Sequence, residues 1–317
     1  MTRFPIELTA PVIDAHRKGN TGVDFVHTFE SGRPGPHVMV NAVTHGNEIC
    51  GAITVDRLLA MGVRPARGTI TLSFANIEAF LRFDPAQPYA TRFIDEDFNR
   101  VWRPEALDGT RDSVELRRAR QLRPFVESAD FLLDIHSMLE PSPAVMICGP
   151  LDKGIDFAFD VGIPSFIVSD EGHANGTRMR DYGGFGDPAS PKNALLVECG
   201  QHWERNAAIV AWQCTWRFLR HLDVVDPEIA SREIESATPA PQMLVRVTEA
   251  VVARTPSFRF ARDFSGMQVI AKAGDPIAYD GDTVVRAPYD DCVLVMPVPN
   301  NVKTGLTAVR LGRIERR

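Results

Sequence analysis

One stretch of sequence decides the fold of this chain: Val38-Met39-Val40-Asn41-Ala42-Val43-Thr44-His45-Gly46-Asn47-Glu48-Ile49-Cys50-Gly51-Ala52. Its first six residues are mostly apolar and rich in β-branched valine, and they predict a strand that stops at a Thr-His-Gly-Asn turn. A helix-compatible segment follows, with Asn47 as the predicted N-cap and Glu48 in the first helical turn, where a carboxylate is favoured.

His45 and Glu48 stand three residues apart across this strand-to-helix junction. At that spacing an imidazole and a carboxylate can converge at the carboxyl end of a strand, where open α/β sheets place their ligands. Zn²⁺ takes these ligand types, and a third ligand would leave one coordination position for water. A capped helix with a surface histidine nearby fits the same residues, because a His-x-x-Glu spacing is common.

The composition is that of an ordinary globular protein, with 317 residues, 44% hydrophobic and 24% charged. A net charge of -6 gives no electrostatic reason to expect nucleic acid or an anionic membrane as partner. No apolar run approaches the length of a membrane span, and Pro5 and Glu7 lie where a signal peptide needs an apolar core. The five cysteines include no Cys-x-x-Cys, which indicates reduced, mostly buried thiols. We therefore expect a cytoplasmic protein that acts on a small molecule. The sequence is compatible with a homo-oligomer but does not fix the number of subunits.

Strands and helices alternate up to about residue 222. The further predicted strands are Thr69–Ala75, Phe131–His136, Ala144–Cys148, Ser165–Val168 and Ala194–Cys199. The first predicted helix, which follows the opening strand, ends at about Met61. The second begins at Asp112 or Ser113, runs to about Ser128 and is interrupted or ends near Pro124. Two more are predicted at Lys153–Val161 and Trp203–Leu222. The segment before residue 37 is predicted to be irregular. This alternation implies an α/β fold, a mixed or mostly parallel sheet covered by helices.

The composition changes at residues 236–242, a short polar linker with two prolines. Beyond it, short β-type runs at Met243–Val252, Met267–Ala271 and Cys292–Val298 are separated by Gly- and Asp-rich turns. We therefore predict a catalytic domain over residues 1–235 and a small all-β domain over residues 243–317.

Three of the buried-looking strands end in groups that can bind a metal or move a proton. A charged group there is costly unless it is paired or ligated, and one shared site satisfies such groups more easily than several unrelated salt bridges. His45, Glu48 and His136 form a His₂Glu set, the ligand type of hydrolytic zinc sites, and predict one Zn²⁺ per chain. Glu198 is then the candidate general base. Asp134, on the same strand face as His136, either orients that histidine or is a structural aspartate.

Arg92, Asn99 and Arg100 form a second cluster, in a loop between the segments that carry the metal ligands. Two guanidiniums and an amide suit a carboxylate-bearing substrate, and an arginine near the metal could stabilise an oxyanion. A solvated loop, with the acidic residues 95–97 as ion-pair partners, is the simpler interpretation of the composition.

Four motifs resemble, in order and approximate spacing, those of the succinylglutamate desuccinylase/aspartoacylase family, a branch of the zinc carboxypeptidase-like fold. They are His45-Gly46-Asn47-Glu48, Asp97-Phe98-Asn99-Arg100, Asp134-Ile135-His136-Ser137 and Val197-Glu198-Cys199-Gly200. Each motif alone is weak, but four in register are specific. The resemblance covers roughly residues 38–222, and the β-rich tail also looks like the C-terminal domain of the family.

The resemblance implies that zinc is bound by the two histidines together with Glu48, and that Glu198 is catalytic. It makes Arg92 the arginine that polarises the carbonyl, and Asn99 with Arg100 the carboxylate clamp. The chain departs from the aspartoacylases proper, because residues 297–306 contain no tyrosine to contact a substrate. No arginine stands shortly before Glu198 to match a further substrate arginine of the family.

We therefore predict a zinc-dependent amidohydrolase, a deacylase that cleaves the amide bond of an N-acylated amino acid or a similar small carboxylate. Deacylases of several N-acyl amino acids fit, including the N-acetyl-diaminobutyrate deacetylase of ectoine breakdown. One alternative is a metallocarboxypeptidase acting on peptides. Another is a metal-binding module without catalysis, in which Glu198 forms a structural ion pair.

Overall fold

The structure is a computed structural model that describes residues 4–172, 176–236, 238–300 and 302–316. The strands in these ranges are β1 (Val26–Glu30), β2 (His37–Ala42), β3 (Thr69–Phe74), β4 (Phe131–Met138), β5 (Val145–Ile147), β6 (Phe166–Ser169), β7 (Asn193–Gln201), β8 (Met243–Val252), β9 (Arg259–Phe260), β10 (Gln268–Ile270), β11 (Pro276–Asp280), β12 (Thr283–Arg286), β13 (Cys292–Val295) and β14 (Thr307–Glu315). The helices are α1 (Ile49–Ala60), α2 (Ile77–Phe80), α3 (Pro104–Leu107), α4 (Val114–Ser128), α5 (Asp152–Val161), α6 (Arg205–His221) and α7 (Pro227–Glu233).

Eleven of the described strands form one sheet in the order β1-β3-β2-β4-β7-β5-β6-β8-β14-β13-β10. Its centre, β3-β2-β4-β7, is parallel, whereas β1 and β5 run antiparallel to their neighbours β3 and β7. Strands β12, β11 and β9 form a separate antiparallel sheet in the C-terminal region. The predicted α/β fold, a mixed sheet with helices and a small β region at the C-terminus, is confirmed.

Helices cover both faces of the central sheet, and the alternation of side chains along β2 explains why. Val38 and Val40 pack into one core with α1, α5 and α6, whereas Met39 packs into a second core with α4. Each fully buried side chain of this kind stabilises the fold by about 1.5–3 kcal/mol. The continuous apolar runs in the sequence therefore reflect strands buried on both faces.

Several local predictions were wrong. The segment before residue 37 contains β1, which pairs with β3, and β14 was not predicted at all. Helix α4 passes through Pro124 without interruption. That proline is exposed, so the carbonyl that loses its helical partner can bind water instead. Helix α1 begins at Ile49 with Glu48, not Asn47, at the N-cap position, and the Glu48 side chain makes no capping hydrogen bond.

The large sheet continues past the predicted linker, because β8 pairs in parallel with β6 over Phe166–Ser169. One residue of that linker, Ala237, lies outside the described residues. The proposed division into domains at residues 235 and 243 stays a prediction. None of the helices in the described ranges has both the length and the apolar character that crossing a membrane requires. All five cysteines are free and buried.

Candidate metal centre and active site

The candidate site lies at the carboxyl ends of the parallel strands β2, β4 and β7. The turn after β2 carries His45 and Glu48, while His136 in β4 stands directly opposite Glu198 in β7. Because neighbouring parallel strands end at the same edge of a sheet, these three segments deliver their side chains to one place.

The turn after β2 is pressed against the loop that carries Arg92. A Cβ added to Gly46 would lie 2.4 Å from the carbonyl oxygen of Thr91, so only glycine fits there. The Gly46 amide also donates a hydrogen bond to the carbonyl of Arg92 at 3.0 Å. The His-Gly-Asn-Glu turn and the arginine loop are therefore held in direct backbone contact.

His45 is buried and has a carboxylate at each ring nitrogen. Its Nδ1 lies 2.7 Å from Glu48 Oε1, and its Nε2 lies 2.9 Å from Asp97 Oδ1. A guanidinium nitrogen of Arg92 is also 2.9 Å from Nε2, which cannot both donate to Asp97 and accept from Arg92. If Nδ1 binds a metal, the ring proton is on Nε2, and the bond to Asp97 is the one that forms.

His136 has the same arrangement. Its Nδ1 lies 2.9 Å from Glu48 Oε2, and its Nε2 lies 2.8 Å from Asp134 Oδ2. The other oxygen of Asp134 accepts hydrogen bonds from Asn41 and Thr44, both at 2.8 Å. Burial lowers the pKa of His136, but Asp134 and Glu48 outweigh it and raise that pKa well above its ordinary value. Asp134 thus orients His136, as one of the two sequence interpretations proposed.

Glu48 lies between the two histidines and is 1% exposed. Besides both Nδ1 atoms, its carboxylate accepts the backbone N–H of Ser137 at 3.3 Å. Burial alone would raise the pKa of Glu48, yet His45 and His136 together lower it well below its usual range. The carboxylate is therefore held in the charged form that metal ligation requires.

These three residues fit a metal ion. One ligand atom from each of His45, Glu48 and His136 lies within 4.8 Å of the others, and all three side chains are buried. Both histidines direct Nδ1 to the cluster and Nε2 to an aspartate, which is the usual arrangement of a metal-ligating histidine. The described residues can therefore bind a metal ion at this point.

Glu198 lies beside the cluster in a different environment. It is 8% exposed, and its Oε2 is buried without a hydrogen-bond partner among the described residues. Burial raises the pKa of Glu198 to about 8, with the charges of His136 and Arg92 opposing this shift and those of Glu48 and Asp134 adding to it. A carboxyl group with a pKa this close to neutrality can both accept and return a proton.

Arg92 reaches the cluster from the loop before the Asp97 turn. Its guanidinium lies 3.4 Å from Glu48 Oε1 and 3.4 Å from Asp97 Oδ2, and its side chain is 38% exposed. The pair with Asp97 agrees with the simpler sequence interpretation, an ion pair within the loop. The contact with Glu48 goes beyond that interpretation, since it brings a partly exposed cation to the candidate metal site.

Asn99 and Arg100 follow Asp97 in a 3-10 turn. The backbone N–H of Asn99 donates to the Asp97 carboxylate at 2.9 Å, and the side-chain oxygen of Asn99 accepts from the Met179 N–H at 3.1 Å. Burial lowers the pKa of Arg100 to about 10. The negative charge of Asp97 opposes this shift, whereas the positive charges of Arg92, Arg178 and Arg310 add to it. Several positive charges therefore converge next to the metal cluster, where an anion would offset their repulsion.

Sequence reasoning missed two features of the site. Asp97 was interpreted only as an ion-pair partner, although its bond to His45 could have been suspected from its place in a conspicuous Asp-x-Asn-Arg run. Arg310, in β14, lies 3.6 Å from Asp170, which also pairs with the buried Arg178 at 2.7 Å. Nothing in the sequence pointed to Arg310, because β14 itself was not predicted.

Comparisons with known proteins agree with this geometry. The family model described as the succinylglutamate desuccinylase/aspartoacylase catalytic domain matches residues 34–203, more than half of the chain. No curated protein matches the chain in sequence.

Solved structures share the fold at low sequence identity. Succinylglutamate desuccinylase from Vibrio cholerae is 15% identical with a TM-score of 0.67, covering 92% of this chain and 86% of its own. An aspartoacylase family protein from Mesorhizobium loti is 18% identical with a TM-score of 0.63, covering 95% and 93%. The ectoine utilisation protein EutE (DoeB) from Ruegeria pomeroyi is 16% identical with a TM-score of 0.63, covering 90% and 88%. These likenesses extend the family match to the architecture of nearly the whole chain.

Proposed function

The chain belongs to the succinylglutamate desuccinylase/aspartoacylase family, and from this premise we propose that it is a zinc-dependent deacylase. It hydrolyses the amide bond of an N-acylated amino acid or a similar small carboxylate. One observation carries the proposal: a buried His-Glu-His cluster stands beside Glu198, a carboxyl group whose pKa burial raises to about 8.

His45 and His136 would each bind the metal through Nδ1, and Glu48 would bind it through a carboxylate oxygen. A Zn²⁺ ion bound there supplies a Lewis acid, which polarises a carbonyl oxygen and makes a nearby water more acidic. Asp97 and Asp134 keep the Nε2 protons of the two histidines in place and so fix the direction of both ligand nitrogens.

Glu198 is the catalytic acid and base. Its Oε2 atom is buried and has no partner among the described residues, so it can accept a proton from an attacking water. The same carboxyl group then returns that proton to the leaving amine nitrogen. The raised pKa suits both steps, because general acid–base catalysis is most efficient when the pKa lies near the working pH.

Arg92 is the group that stabilises the oxyanion. Its guanidinium lies beside Glu48 and is only partly buried, so it can donate to a carbonyl oxygen that enters the open side of the cluster. This role matches what the family resemblance implies for the residue.

Asn99 and Arg100 form the carboxylate clamp. Burial, together with the neighbouring positive charges, lowers the pKa of Arg100, and a bound carboxylate would offset the cost of both. The C-terminal region also approaches this side of the molecule, since the Asn300 amide donates to Glu140, in the loop after β4, at 3.2 Å. We infer that the site favours a short substrate with a free carboxylate over a long peptide.

The decisive experiment compares a free-acid N-acyl amino acid, its methyl ester and a tetrapeptide, using zinc-loaded protein. The panel of acids should include N-acetylaspartate, N-succinylglutamate and N-acetyl-diaminobutyrate. Losing a charge-assisted hydrogen bond costs roughly 1.5–3 kcal/mol, so we expect kcat/KM for the ester to be about 10- to 150-fold lower.

The matched variants are Arg100→Gln, which should remove the preference for the acid, and Arg103→Gln, an exposed control three residues later that should keep it. Equal rates on acid and ester in the parent protein would exclude the clamp. A preference for the tetrapeptide would identify a carboxypeptidase. Tight zinc without turnover of any substrate would identify a binding module.

A further inference from the structure

The loop of residues 91–100 contains the candidate oxyanion and clamp residues but has almost no regular secondary structure of its own. Only the 3-10 turn Phe98–Arg100 is periodic. Residues that recognise a substrate need a fixed geometry, so something outside the loop must hold it. The side chain that does so is Glu115, which the proposed reaction does not use.

Glu115 lies in the first turn of α4 and is completely buried. Its Oε1 accepts hydrogen bonds from the Ile94 amide at 2.8 Å and from the side chain of Asn76 at 3.1 Å. Its Oε2 accepts from the amides of Asp95 at 3.1 Å and Glu96 at 3.2 Å. Three consecutive backbone N–H groups of the loop thus surround one carboxylate.

The loop holds the helix in return. The Asp95 carboxylate accepts the Val114 amide at 2.8 Å, and Glu96 accepts the hydroxyl of Ser113, the N-cap residue of α4. The helix itself is fixed by the core, since Leu116 and Ala119 pack against the sheet. The loop is therefore attached to a rigid element by hydrogen bonds that run in both directions.

A general helix-stabilising role does not explain Glu115. A carboxylate in the first turn favours a helix through its dipole, but that effect needs no burial and no contact with another segment. Here the first-turn N–H of Leu116, which has no partner within the helix, is capped by Ser113 instead, at 3.0 Å. Burying a carboxylate is costly unless its oxygens are hydrogen-bonded, and the four donors to Glu115 among the described residues all come from outside α4.

We propose that Glu115 is a positioning residue for substrate recognition: by binding the backbone of residues 94–96, it fixes Arg92 on one side and Asn99 with Arg100 on the other. This inference rests on the proposed function for the roles of those three residues. The attachment of the loop itself does not depend on that function.

Glu115→Gln tests both parts. The amide keeps the size of the side chain, but its NH₂ group faces two N–H donors in place of an acceptor. In the zinc-loaded protein we expect hydrogen–deuterium exchange at the amides of Asp95 and Glu96 to accelerate roughly 10- to 150-fold, the effect of losing a charge-assisted hydrogen bond. Exchange in β4 and β7 should stay at the parental rate, as should zinc content.

Kinetics then test positioning. We expect KM for the free-acid substrate to rise about 10-fold or more, with a smaller fall in kcat, and the preference for acid over methyl ester to shrink. Glu105→Gln is the control, an exposed glutamate of α3 that should match the parent in both assays. If Glu115→Gln fails to fold, Asp95→Ala takes its place. This change, at an exposed position, removes the bond to the Val114 amide and should raise local exchange and KM in the same way but less strongly.

Unchanged exchange at residues 94–96 would overturn the inference, and so would faster exchange throughout the sheet, which would indicate a general structural role. Faster local exchange with unchanged KM in an active enzyme would also overturn it. If the parent protein hydrolyses no acyl amino acid, the proposed function fails, and exchange alone decides whether Glu115 holds the loop.

Discussion

Glu48 and Glu198 are both buried glutamates at the same edge of the sheet, yet their pKa values move in opposite directions. Burial opposes the charge of each, but two histidines face Glu48 and lower its pKa well below the usual range. Glu198 has no such pair of donors, and burial raises its pKa to about 8. Residue type and burial are the same in the two regions, so the neighbouring groups decide the protonation state.

This difference assigns different chemistry to the two carboxylates. Both carboxylate oxygens of Glu48 have hydrogen-bond partners, which suits a group that must stay charged and fixed as a metal ligand. The region around Glu198 leaves one buried oxygen without a partner among the described residues, which suits a group that must gain and lose a proton. Three experiments can break or sharpen this comparison.

The largest effect is expected from His136→Ala, which removes a ligand next to Glu48. Changes to the partners of ligands alone typically cost 10- to 100-fold in metal affinity, so loss of a ligand should cost more, at least about 100-fold. We expect zinc, measured by elemental analysis after dialysis, to fall from one per chain to near zero, and turnover to fall to background.

His221→Ala is the matched control for that experiment, because this half-buried histidine at the end of α6 pairs with Asp160 outside the cluster. It should retain parental zinc. Undiminished tight zinc in His136→Ala would contradict the ligand assignment and leave Glu48 without its proposed role.

Glu198→Gln should reduce turnover without reducing metal content. The amide keeps the size of the side chain but cannot accept a proton, and loss of a general base typically costs on the order of 10²–10⁴ in rate. Single-turnover kinetics and elemental analysis on the same preparation measure both properties. Turnover that survives within a few-fold would show that Glu198 is not the base, and would favour a structural ion pair.

The third experiment concerns the stability of the metal-free protein. The pKa of Glu198 is raised from 4.5 to about 8 on folding, so between these pH values the folded state binds more protons than the unfolded state. Stability contributed by this group is therefore present below about pH 4.5 and lost as the pH rises through 8. Burial is the main cause of this shift; the charges of His136 and Arg92 reduce it, and those of Glu48 and Asp134 add to it.

Glu198→Gln cannot ionise, so its stability relative to the parent should increase from pH 5 to pH 9 by roughly 4 kcal/mol, because about three pKa units of the shift lie in that range. Urea unfolding in the presence of a chelator, at several pH values, measures this difference. A difference that does not change with pH would mean that Glu198 is not titrating in this range.

The local elements near the site could be predicted from sequence because their signals are short in range. Strand β2, the turn with His45 and Glu48, and strand β4 with His136 near its carboxyl end each lie within a dozen residues of chain. An apolar run that ends near a metal-ligating side chain is visible within such a short range, so the cluster could be proposed before its geometry was known.

Other parts of the molecule depended on pairing between distant segments. Strand β1 is defined by β3, about 40 residues later, and β14 by β8, about 60 residues earlier. Arg310 reaches the neighbourhood of Asp170 only because β14 joins the sheet. No local pattern encodes such contacts, since strand pairing is satisfied by any partner of suitable shape.

From the sequence alone one could predict the α/β class, the His-Glu-His set, and Glu198 as a buried carboxyl group near the carboxyl end of a strand. Only the tertiary structure decided what those groups experience: which ring nitrogen of each histidine faces the cluster, that Asp97 holds His45, and that Glu115 holds the loop of Arg92. The physical reason is that ligand type is a property of a side chain, whereas a pKa and a fixed orientation are properties of the groups that the fold brings around it.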